Sequence, residues 1–128
     1  MSAMALLLSL KIVVTALFSV VPMLCLPQAR LAAMTGIEGG ALFRLYGVAL
    51  LALLTGYASA FPLVAAGTFP WGIAAMGMVS NGGAAAALVW TGGWRQAKAM
   101  TAFVALIALG LALAGLNSEA ALRPLWPA

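Results

Sequence analysis

Four runs of about twenty residues, each nearly free of charge, decide what this chain can become: residues 3–26, 41–60, 71–90 and 97–116. A helix rises about 1.5 Å per residue, so each run is long enough to cross ~30 Å of hydrocarbon. Hydrophobic residues make up 66% of the 128-residue sequence and charged residues 6%, where a soluble domain carries about a quarter charged. Lipid is therefore the solvent the sequence is written for. The expected fold is all-α, an integral membrane bundle of four transmembrane helices forming one domain over residues 1–128.

The first run is broken by Lys11, Thr15 and two serines. Lys11 interrupts the apolar stretch and no Ala-x-Ala site follows it, so the run reads as a retained span and not a cleaved signal. Lys11 is expected to snorkel toward the N-terminal surface as an interfacial anchor, the alternative being that it faces the bundle interior. Pro22 lacks an N–H and should kink or end the helix near Val21–Pro22. Residues 27–40 read as a loop, with a short interfacial turn at Leu31 to Met34 next to Arg30.

In the second run Ala52, Gly56 and Ala60 recur every four residues and predict a close-packing face, while Tyr57 is expected at the membrane interface. Phe61-Pro62 marks its boundary, and residues 62–70 carry no charge, as a link lying on the membrane surface would. Trp71 and Trp90 bracket the third run as aromatic-belt anchors, with Trp94 just beyond. Its middle reads Ser80-Asn81-Gly82-Gly83. An amide at mid-depth must be hydrogen-bonded, so Asn81 reads as a tie between helices; the alternative is a helix loosened at the glycines and lining a site. Ala108 and Ala112 give the fourth run a small-residue face, and residues 117–128, with Glu119, Arg123, Pro124, Trp126 and Pro127, read as an interfacial tail.

The polar residues concentrate at the mouth of the second run, in residues 36–47. Arg44 lies about three residues inside the apolar stretch, close enough for its stem to reach the headgroups, with Tyr46 beside it in the aromatic belt. The competing reading turns Arg44 inward to pair with Glu38 or a bound anion, the chain reversing through Gly39-Gly40. Glu38, Arg44, Tyr46 and Asn81 form the candidate polar or anion site.

Catalysis finds little material. The sequence has no histidine, no aspartate and two glutamates, so neither a paired-carboxylate site within the membrane nor a histidine-based triad can be assembled. Cys25 is the single cysteine, read as a small buried hydrophobe; it can form neither an intramolecular disulfide nor a cysteine zinc cage. No nucleotide fingerprint is present. No enzyme activity, cofactor, metal or nucleic-acid partner is expected.

The net charge of +4 comes from bases near span ends and suits anionic lipid headgroups. Arg30, Arg44, Arg95 and Lys98 fall in or beside the first and third loops, against Lys11 and Arg123 on the other side. The positive-inside rule then predicts both termini outside, periplasmic if the membrane is a bacterial inner membrane.

Pro27, Gly36-Ile37, Arg44 and Tyr46-Gly47 follow one another as a proline-started loop, a Gly-Ile pair and an Arg-x-Tyr-Gly entry into the second helix. In this the chain resembles the small, uncharacterised four-helix bacterial membrane proteins of DoxX-like type. The resemblance implies a four-helix bundle and an association with membrane redox or stress functions, with no catalytic residues to carry over. Two classes of function remain. One is a non-catalytic accessory or assembly subunit of a larger membrane complex, or a small oligomer, joined through small-residue helix faces. The alternative is a small-solute transporter or channel with a polar path near Arg44, Glu38 and Asn81.

Overall fold

The structure, a computed structural model, describes residues 1–126 and is all-helical among them. Four helices are long and apolar enough to cross a membrane: Ala3–Cys25, Ala41–Ala65, Trp71–Trp90 and Lys98–Leu116. Pro127 and Ala128, the end of the expected interfacial tail, lie outside the described residues. The chain divides into two compact units, Leu8–Ser59 and Met1–Leu7 with Ala60–Ala128.

The unit Leu8–Ser59 begins within helix α1 (Ala3–Thr15), passes through a π-helical turn (Ala16–Val20) and continues as α2 (Val21–Cys25). Pro22 explains the sequence of events. Its ring crowds the carbonyl four residues back, at Phe18, and offers that carbonyl no N–H. The backbone widens there, and the Val21 N–H reaches five residues back to Ala16 O. The disturbance expected at Val21–Pro22 therefore falls in the preceding turn. The helix ends at Leu26, whose extended ψ of 148° suits a residue before proline.

Pro27 then stands at the N-cap of α3 (Gln28–Thr35), a helix longer than the turn expected at Leu31 to Met34. Leu31 is its buried residue, and Gly36 closes it at φ 71°, a left-handed conformation that glycine adopts without steric cost. Helix α4 (Ala41–Ala58) buries Phe43, Gly47, Leu54 and Tyr57. Of the stripe expected to pack, Ala60 is buried but Ala52 faces outward. Tyr57 is 1% exposed, a core residue and not an interface anchor.

In the other unit, residues 62–70 are not a flat link. Helix α5 (Phe61–Ala65) occupies their first half, and Pro62 fits its opening turn, where an N–H would be surplus. Helix α6 (Trp71–Trp90) and helix α7 (Lys98–Leu116) then form a hairpin. A methyl added at Gly82 would stand 3.8 Å from Ala108 Cβ, and one at Gly115 would stand 3.4 Å from the Trp71 ring, which fixes an antiparallel register. Ala74, Gly77 and Asn81 are buried on α6, and Val104, Ile107 and Leu111 on α7, both at helical spacing. Helix α6 runs unbroken through Gly82-Gly83, so those glycines do not loosen it.

The chain ends of this unit meet. Ser2 and Pro124 form an isolated antiparallel bridge, and the Leu125 N–H donates to Met1 O at 3.1 Å. Ser2 Oγ accepts from the Ala5 N–H at 3.2 Å, capping α1. Helix α8 (Ser118–Leu122) leads into the bridge and carries Glu119 in its first turn.

Candidate functional site

Arg44 holds the end of the first span. Its Nη1 donates to Met23 O at 2.5 Å and its Nη2 to Leu26 O at 2.6 Å. The reason lies in the backbone. The last carbonyls of a helix lack intrahelical partners, and the residue whose N–H would have served Met23 O is Pro27, which has none. A guanidinium carries several donors in a fixed fork and a charge that suits the negative end of a helix dipole. Arg44 thus replaces a donor that proline removed.

This differs from both readings of Arg44 in the sequence. The side chain is neither directed only to headgroups nor paired with Glu38; no ion pair joins these residues among those described. Glu38 is exposed and lines an open cleft of about 390 Å³ with Gln28, Ala29, Ala32, Gly39 and Gly40. Tyr46 is exposed on α4. One turn beyond Arg44, Gly47 faces α2 so closely that an added methyl would stand 2.8 Å from Leu24 Cδ2 and 3.1 Å from Met23 Cβ. Gly47 is a contact residue that the small-residue stripe did not include. The cue was its place one turn after Arg44, as Pro27, four residues after Met23, was the cue for the carbonyl.

Asn81 is 2% exposed, and its Nδ2 donates to Gly77 O at 2.8 Å and to Ser80 Oγ at 3.3 Å, both on its own helix. Among the described residues no buried side-chain nitrogen or oxygen lacks a hydrogen-bond partner. Asn81→Leu should lose about 0.6 to 2 kcal/mol of stability, the range for side-chain hydrogen bonds among apolar helices, measured by SDS titration in mixed micelles.

Lys11 is 7% exposed and lies on the buried line Met4, Leu8, Lys11, Thr15 of α1. The expected snorkelling is thereby corrected: helical periodicity carries Lys11 onto the face that Met4 and Leu8 bury. Cys25, expected to be buried, is exposed at the end of α2. Trp71, Trp90 and Trp94 all present exposed rings at or near helix ends.

The site's chemistry is that of satisfied backbone. The guanidinium and the amide donate to main-chain carbonyls, and no group of three His, Cys, Asp or Glu residues suited to a metal occurs among the described residues. In comparisons with known proteins, no protein-family model, no curated protein and no solved structure matches the chain.

Proposed function

We propose that the protein is a non-catalytic membrane protein that acts by helix packing, as an accessory or assembly subunit of a larger membrane complex or as a small oligomer. The observation that carries this reading is the use of Arg44: the one basic residue of α4 is engaged by the Met23 and Leu26 carbonyls, where it fixes the shape of the chain. Outward faces of the spans are rich in large apolar side chains such as Phe18, Val79, Leu109 and Leu116, which a bilayer or partner helices would cover. The Arg-x-Tyr-Gly entry to the second span supports placing it beside DoxX-like proteins.

A second reading, a path for a small solute, draws on Lys11 and Thr15, two polar residues buried within the first span. Purification in mild detergent separates the two. The packing reading expects a stable complex larger than the monomer, and proteoliposomes of the protein alone that are no leakier to ions or small solutes than empty ones. A monodisperse monomer that carries flux would overturn it in favour of the path.

The orientation belongs to the same proposal: a bacterial inner membrane with both termini periplasmic. The Met1–Leu125 and Ser2–Pro124 pairing supports termini on one side. In a Cys25→Ala background, single cysteines at the exposed positions Ala66 and Ala120 should label from outside, and one at Gln96 should not. The opposite pattern would invert the orientation.

A further inference from the structure

The turn between α6 and α7 gathers charge that its own unit does not balance. Trp90 is 91% exposed at the end of α6, and Trp94 is 40% exposed. Gly92, at φ 74°, reverses the chain, and a short 3₁₀ turn (Gly93–Arg95) follows. The Arg95 guanidinium lies 5.8 Å from the centre of the Trp94 ring, a cation–π contact, and its donors make no hydrogen bond to another described residue. Three residues on, Lys98 begins α7; both bases are exposed.

Lys98 sits at the wrong end of its helix. The N-terminus of α7 carries the positive end of the helix dipole, no acidic residue lies in its first turn, and Ala97 at the N-cap supplies no side-chain acceptor. Two cations and a helix N-terminus therefore share one turn. The unit's one acidic side chain, Glu119, lies beyond the far end of the 19-residue α7, about 28 Å of helix rise away. An anion at the turn would relieve all three positive sources together. The flanking tryptophans set the depth at which it would be met, since their rings favour the headgroup layer.

We propose that the α6–α7 turn is a binding site for the phosphodiester headgroup of an anionic phospholipid, held by Arg95 and Lys98, with Trp90 and Trp94 against the upper acyl chains. A guanidinium suits a phosphate bidentately, and the ammonium adds a point charge. The proposal rests on the membrane reading above.

The test is lipid retention. The full chain is reconstituted in vesicles of equal phosphatidylglycerol and phosphatidylcholine, extracted in mild detergent and weighed by native mass spectrometry. Bound phosphatidylglycerol should exceed phosphatidylcholine, and Arg95→Gln and Lys98→Gln should each reduce that preference about fivefold, the weight of one base near an anionic surface. Arg123→Gln removes the same charge from the exposed tail of the same unit and should leave the preference unchanged. These are surface positions, and an unchanged melting curve for each variant confirms that the fold is intact. Equal retention of the two lipids, or an equal loss in Arg123→Gln, would overturn the site while leaving the membrane reading standing. Failure of the protein to float with vesicles would overturn both.

Discussion

Arg44→Ala should destabilise the protein by about 2 to 4 kcal/mol, since each hydrogen bond from a charged donor contributes roughly 1.5 to 3 and this site is partly solvated. The loss has two parts. The Met23 and Leu26 carbonyls lose the donors that answer them, and Met23 O cannot recover one from Pro27. Arg44→Lys should recover less than half of the loss. An ammonium can reach one carbonyl, but it lacks the planar fork that spans two carbonyls three residues apart in sequence. Glu38→Gln, by contrast, should be silent within about 0.5 kcal/mol, as an exposed residue outside such a network. SDS titration in mixed micelles reads all three. A silent Arg44→Lys would return Arg44 to the role of a headgroup anchor.

Gly47→Leu should be worse still. At this position even a methyl would stand 2.8 Å from Leu24 Cδ2 and 3.1 Å from Met23 Cβ. The Leu24 terminus can rotate away, whereas Met23 Cβ is fixed to the main chain. Gly47→Ala should then cost about 1 to 3 kcal/mol, the usual range for overpacking, and Gly47→Leu should exceed it. Leu24→Ala opens the nearer contact and should rescue part of the Gly47→Ala loss. The effect of Gly47→Ala should not add to that of Arg44→Ala, because displacing Met23 moves the carbonyl that Arg44 holds. Additive losses would mean that the two residues act on different parts of the helix end.

The four long apolar helices were readable because length without charge is a direct physical requirement of lipid. The third long helix is legible at both ends, Trp71 and Trp90, since tryptophans and turn glycines bound it. What escaped has a common origin. In a helix that is apolar all round, polar–apolar contrast does not say which face is buried, so Lys11 and Tyr57 both read as interfacial residues although both are buried. The π turn escaped because proline acts on the turn before itself, not at its own position. The candidate site was legible as a place, but its partners were not. Arg44 stood out as a charge near an apolar run, whereas the atoms it binds are main-chain oxygens, which no side-chain pattern displays. Only the four-residue step from Met23 to Pro27 announced a carbonyl in need of a donor.

The pairing of Ser2 with Pro124 and of Met1 with Leu125 imposes an order on biogenesis. Residues 1–7 are made before residues 60–128, which complete their unit. The intervening Leu8–Ser59 unit has its whole sequence available long before that. During synthesis, then, the opening segment must wait with its partners unmade while more than a hundred residues follow it. Closure of the N-terminal end is a late event, and in that interval its free backbone groups are open to pairing with other chains.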